Sequence, residues 1–152
     1  MVQDNGLTQD QRLKQTEARF AVADLIHEYA RLIRRDLSDE VAPLFTEDGV
    51  FEVRDGHPDK PEFSVRSRIE GREALEAYMA NGKGKPHPIP VIHNLSVDVE
   101  GDTAHSNCVM EGQVYGTDLK VLGEYHDTFR CDKGRWLFAS RIFTVFSAAS
   151  SV

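Results

Sequence analysis

His93-Asn94-Leu95-Ser96-Val97-Asp98-Val99-Glu100 alternates polar and apolar residues. In an extended chain successive side chains point to opposite faces, so His93, Leu95, Val97 and Val99 are expected on one face and Asn94, Ser96, Asp98 and Glu100 on the other. The strand-like stretch that contains it is expected from Val91 to Glu100 and stops at Gly101-Asp102. Three further strand-like stretches follow, Thr103 to Tyr115, Leu119 to Cys131 and Arg135 to Phe146, separated by Gly116-Thr117-Asp118 and Asp132-Lys133-Gly134. Turn residues between long β-type runs predict hairpins. The C-terminal half therefore reads as a four-strand antiparallel meander. Strands of about ten residues are long for a small domain, and long hairpin-connected strands tend to curl.

The N-terminal half carries helical spacing. Phe20, Ala23, Leu25, Ile26, Tyr29, Leu32 and Ile33 recur along a helix from Thr8 to about Arg35, with Thr8 or Asp10 as its cap. A second, short helix is predicted from Ser38 to Phe45, with Ser38 as N-cap and Asp39 and Glu40 in its first turn. Glu47-Asp48-Gly49 breaks it, and Val50 to Val53 reads as a short strand. Asp55 to Pro61 is a loop by composition, and Ser64 to Glu70 is a candidate return strand. A third helix runs from Arg72 to Asn81 with Leu75, Tyr78 and Met79 on one face. Gly82 to Pro88 is a connection rich in glycine, lysine and proline, and a candidate lid over any pocket. Helices followed by a curled sheet define an α+β fold, three helices packed in a strongly curved, mainly antiparallel sheet that forms a cone with a cavity.

Composition narrows the function. The chain of 152 residues has the length of a single domain, 1–152, with flexible ends expected at 1–8 and 147–152. Its net charge of −7 argues against nucleic acid or an anionic membrane as the main partner. No apolar run approaches the ~20 residues of a membrane span, and the first residues do not read as a secretory signal. Cys108 and Cys131 lack metal-type spacing and are expected as reduced thiols in a cytoplasmic protein. The six histidines show no ligand spacing, so no metal site is expected, and no phosphate-cradling, nucleophile-elbow or zinc-protease motif calls for an organic cofactor.

Four residues are candidates for chemistry. His93 shares its expected face with three aliphatic side chains. It is either a satisfied core polar group or the centre of an apolar pocket. A neutral imidazole is the natural base near neutral pH. Asp127 alternates with Tyr125 and Phe129, and Arg141 on the next strand is a ready counter-ion, on a face expected to hold Leu137, Ala139 and Phe143. The readings are an Asp127–Arg141 or Asp127–His93 couple that polarises a substrate, or a structural Asp127–Arg141 ion pair across adjacent strands. Tyr29, on the core face of the first helix, is either a substrate-holding phenol or a core aromatic. His126 is expected outside the sheet.

Taken together, Glu28-Tyr29-Ala30-Arg31, Leu44 to Phe51, Glu70 to Leu75, Ile92-His93-Asn94-Leu95, Gly123 to Phe129 and Gly134-Arg135-Trp136 resemble the NTF2-like superfamily, in particular its SnoaL-like group. The resemblance spans about residues 15 to 145. It is nearest to the branch of scytalone dehydratase, bile-acid dehydratase and the lindane dehydrochlorinase, where a strand histidine acts as base and an acid at the end of the first helix orients it. The resemblance implies His93 as base and Arg141 as a functional arginine. It places the acid position on Arg34, with Asp36 two residues later, about 200° around a helix. It also implies a substrate site of Tyr29, Arg34, Phe51, Tyr125 and Phe129. The activity implied is that of a cofactor-independent lyase or isomerase on an apolar, aromatic or polycyclic molecule, in a homodimer or higher homo-oligomer. A non-catalytic binder of an apolar ligand, or an interaction module of the same fold, is the alternative.

Overall fold

The computed structural model describes residues 6–146. The expected flexible tail 147–152, and all but the last three residues of the expected flexible stretch 1–8, lie outside the described residues. Helix α1 spans Gln9–Arg34. Thr8 caps it by accepting the Gln11 amide, while the Gln11 side chain accepts the Thr8 amide, a reciprocal capping box. Its buried stripe is Ala18, Val22, Ile26, Tyr29 and Leu32. Phe20, expected on that stripe, is exposed; Val22 takes the core position instead. The expected second helix is two short 3-10 turns, Ser38–Glu40 and Ala42–Leu44. Pro43 has no amide proton to donate to a carbonyl four residues back, so a continuous α-helix does not form.

Strand β1 runs Phe45–His57, β2 Lys60–Glu70, β3 Pro88–Glu100, β4 Thr103–Val114, β5 Lys120–Asp132 and β6 Arg135–Phe146; helix α2 spans Arg72–Asn81 between β2 and β3. The six strands form one sheet in the order β2-β1-β6-β5-β4-β3. All neighbours are antiparallel except β1 and β6. The expected loop Asp55 to Pro61 is mostly strand, because β1 and β2 pair down to a tight turn at Pro58-Asp59. Pro88 and Pro90 lie in β3, an edge strand, where a missing ladder donor is tolerated. α1 packs against β3 and β6, and α2 against β1. The core lies between helices and sheet, with Phe45, Phe51, Phe129, Phe138 and Phe143 at its centre.

Two irregularities decide which side chains face this core. In β3 the register breaks between His93 and Ser96, and Asn94 adopts a positive φ of 52°. This bulge inserts one residue and inverts the alternation. Ile92, Leu95, Val97 and Val99 all pack on the core, whereas His93 lies opposite Val109 on the outer face. In β6 the register breaks opposite Thr128 and Phe129, so Ala139 is the extra residue. Phe138, rather than Leu137 and Ala139, therefore shares the inner face with Arg141 and Phe143.

Candidate active site

The expected inward orientation of His93 does not occur. Its side chain is 45% exposed and its Nε2 lies 3.0 Å from Glu111 Oε1. His105 and His126 also sit outside, beside Asp98 and Glu124 at 3.2 and 3.3 Å. The bulge at Asn94 thus removes His93 from the cone interior and from the role expected of it there. Arg34 does not line the cavity described below either. It is exposed in the last helical turn, and no described contact brings it to the interior.

Asp127 and Arg141 are brought together as expected. They are direct partners across β5 and β6, and both side chains are 0% exposed. Arg141 Nε lies 3.1 Å from Asp127 Oδ1, off the line a hydrogen bond needs, and none of the guanidinium nitrogens has a hydrogen-bond partner. Three rings enclose the cation instead: Tyr125 at 3.5 Å, Tyr29 at 4.2 Å and Phe138 at 4.8 Å from Cζ to ring centre. Ser106 Oγ donates to Asp127 Oδ2 at a long 3.5 Å. Burial pushes the Asp127 carboxyl up to about 6 against the opposing pull of Arg141. Burial likewise pushes Tyr125 up to about 12, Cys108 up to about 11, and Tyr29 well above the ordinary phenol. Tyr29, Tyr125 and Phe129 are core aromatics around this pair.

One of the molecule's cavities lies beside the C-terminal end of α1. This cavity of about 400 Å³ is walled by Ile33, Phe51, Val53, Tyr78 and Met79, with Asp36, Ser38, Asn81, Gly82, Lys85 and His87 among its polar or backbone lining. Of the residues expected to bind substrate, Phe51 is the one that lines it. It is also the register neighbour of Arg141 across β1 and β6, which places the buried ion pair one strand away from the cavity wall. A wider groove of about 860 Å³ runs between the first half of α1 and the turns at Gly101-Asp102 and Gly134, and no histidine lines it.

Asp36 and His87 meet in the mouth cavity. α1 stops at Arg34, and Asp36 adopts φ 59° while the Leu37 amide donates back to the Leu32 carbonyl at 2.8 Å. This is a left-handed helix ending. It turns the chain out of the helix, so the 200° offset no longer applies to Asp36. The Gly84 amide donates to both Asp36 oxygens, at 2.9 and 3.1 Å, and Lys83 Nζ pairs with Asp39 at 3.0 Å. These bonds hold the 82–88 segment across the end of α1, as its expected place over a pocket requires. His87 Nδ1 lies 2.8 Å from the Lys85 carbonyl and 3.9 Å from Asp36 Oδ1. A carbonyl only accepts, so Nδ1 carries the proton and Nε2 of the neutral ring holds the lone pair. Ser38 caps nothing, since the first 3-10 turn has no side-chain cap, and its hydroxyl is buried without a partner.

Neither His87 nor Ser38 is evident as a site residue from sequence. His87 sits in a segment read as a connection, and Ser38 matches a helix cap. The signals present were a histidine between Pro86 and Pro88, and Asp36 just past the helix end. Among the described residues no group of three or more histidine, cysteine or acidic side chains converges as a metal would require, and no helix is long and apolar enough to cross a membrane.

A curved sheet closed by helices, with an apolar cavity at one end and titratable groups at its rim, defines the α+β cone of NTF2-like proteins. The SnoaL-like domain family model matches residues 14–142, and the chain belongs to that family. A comparison with curated proteins finds no match. Among solved structures, it is similar to a protein of unknown function from Mycobacterium tuberculosis, at 23% identity over 91% of this chain and 79% of that one, with TM-score 0.74. It is similar to an NTF2-like protein with a cystatin-like fold from Novosphingobium aromaticivorans, at 23% identity over 92% and 89%, with TM-score 0.70. It is also similar to a candidate scytalone dehydratase from the same organism, at 21% identity over 91% and 88%, with TM-score 0.66. At these identities the likeness establishes the fold alone.

Proposed function

We propose that this protein binds an apolar, ring-containing small molecule in the mouth cavity and moves a proton on it, as a lyase or isomerase. One observation carries the reading: His87 lines an apolar cavity with its Nδ1 proton committed to the Lys85 carbonyl, which leaves Nε2 as the base. Asp36, 3.9 Å away, stabilises the imidazolium that forms. Nε2 takes a proton from a carbon beside an electron-withdrawing group. The electron pair of that C–H bond either shifts a double bond, with the proton returned at a new carbon, or expels a leaving group. General-base catalysis of this kind is worth about 10²–10⁴ in rate.

The test is turnover of an identified substrate by His87→Gln and Asp36→Asn. The expected losses in kcat are at least about a hundredfold for His87→Gln and about tenfold for Asp36→Asn. Unchanged kcat in His87→Gln rejects the assignment. A second reading is binding without chemistry. It draws on the Gly84 bonds to Asp36, which reduce what the carboxylate can lend the imidazole. Its signature is tight uptake of a ligand recovered unaltered after hours.

A further inference from the structure

We infer that residues 82–87 form an arm clasped to the end of α1, and that Lys83 and Asp39 are positioning residues that keep His87 beside Asp36. The inference rests on the role proposed above for His87 and names what holds that side chain in place. The arm has little packing of its own. Every residue from Asn81 to Pro86 is exposed, and a Cβ added at Gly84 would meet nothing within 4 Å. Its two ends are fixed. Met79 is buried in the last turn of α2, and Pro88 opens β3 opposite Val114. Between them the arm is tied to the chain beyond α1 at Gly84, whose amide donates to the Asp36 carboxylate at 2.9 and 3.1 Å, and at Lys83, whose Nζ lies 3.0 Å from Asp39 Oδ1. Its remaining bonds run within it or back to α2. The Lys83 amide donates to the Ala80 carbonyl, the Lys85 amide to the Gly82 carbonyl, and His87 to the Lys85 carbonyl.

The two ties differ in what they touch. Asp36 lines the cavity and lies 3.9 Å from His87, so it belongs to the site. Lys83 and Asp39 are not among the lining residues, and their side chains are 44% and 42% exposed. Their ion pair acts on the base through the chain. With Lys83 held, the next amide stays on Asp36 and the Lys85 carbonyl stays on His87 Nδ1. A segment with so little buried surface opens locally at low cost. Opening at Gly84 separates the arm, and His87 with it, from Asp36. The turn that aims this amide also needs its glycine, because Gly84 has φ 79°.

The experiment is water exchange of backbone amides, read residue by residue by NMR on the full chain, with no substrate present. In the parent the Gly84 amide is expected to exchange at least about tenfold more slowly than a solvent-open amide, the protection of a charge-assisted hydrogen bond. Lys83→Ala and Asp39→Ala should each raise that rate about two- to fivefold, the size of an exposed ion pair. Lys83→Arg, which keeps the cation, should match the parent, and the double alanine variant should loosen Gly84 no more than either single one. The ring signals of His87, assigned by their loss in His87→Gln, should shift in the alanine variants and stay in Lys83→Arg. Melting midpoints and the exchange of β4 and β5 amides should not change. An unprotected Gly84 in the parent, a rate unmoved by either alanine variant, losses that multiply in the double variant, loosening shared with β4 and β5, or His87 signals that stay put while Gly84 loosens overturns the inference. Exchange reads the arm whether or not His87 is a base. A failed clasp therefore leaves the catalytic reading standing, and unchanged kcat in His87→Gln leaves the clasp standing.

Discussion

Ionisation of Asp127 should weaken the fold as pH rises, and the size follows from its surroundings. At 3.1 Å and an effective dielectric of about 20, attraction to Arg141 is worth about 5 kcal/mol. Taking a carboxylate fully out of water costs several kcal/mol. The hydrogen bonds that normally offset this cost are poor here: one hydroxyl at 3.5 Å and a guanidinium out of line. Desolvation prevails and lifts the carboxyl from 3.8 to about 6. A raised carboxyl contributes stability that is fully present below 3.8 and is lost as pH climbs through about 6. The span amounts to about 3 kcal/mol. Other acids act in the opposite sense. The hydrogen bond from Arg66 holds Asp55 below its ordinary value, and that from Lys83 does the same for Asp39. The Asp127 contribution must therefore be read as a difference. Urea unfolding followed by circular dichroism, from about pH 3.5 to about pH 7.5 to bracket the titration, on the parent and Asp127→Asn isolates it. The parent should lose about 3 kcal/mol relative to the variant across that range. A difference that stays flat, or that grows in the parent's favour with pH, refutes the argument and means that Arg141 outweighs desolvation.

Substitutions at two further positions test the packing of β5 against β6 and the bulge in β3. A Cβ on Gly123 would lie 2.3 Å from the Thr144 carbonyl oxygen and 2.6 Å from the Phe143 ring. Gly123→Ala should cost about 1–3 kcal/mol of unfolding free energy by overpacking. Asn94 holds the left-handed bulge that turns His93 outward. Asn94→Val should cost about 1–2 kcal/mol and Asn94→Gly much less, as melting midpoints would show; equal effects would mean the bulge carries no conformational demand.

Much of the fold was legible in the residues themselves. Long strand-like runs between glycine-containing turns produced β3 to β6 within about three residues of their ends, and helical spacing produced α1 and α2, because these patterns report local backbone geometry and burial together. The inner placement of Asp127 beside Tyr125 and Phe129 was legible for the same reason, since β5 has no bulge between them. His93 was misplaced because one inserted residue reverses every later side chain while leaving the alternation after it intact. The run Leu95 to Glu100 reads identically whether or not Asn94 bulges.

The sequence by itself determined the α+β cone, the Asp127–Arg141 pair and the apolar face of α1, all set by local periodicity and by pairing between adjacent strands. Only the tertiary structure decided that the histidine at the cavity is His87 and not His93, and that Asp36 rather than Arg34 is its acidic neighbour. Both outcomes depend on single left-handed residues, Asn94 in a strand and Asp36 at a helix end. A positive φ at a non-glycine residue leaves almost no mark in composition or spacing, yet it redirects the chain and the side chains beside it.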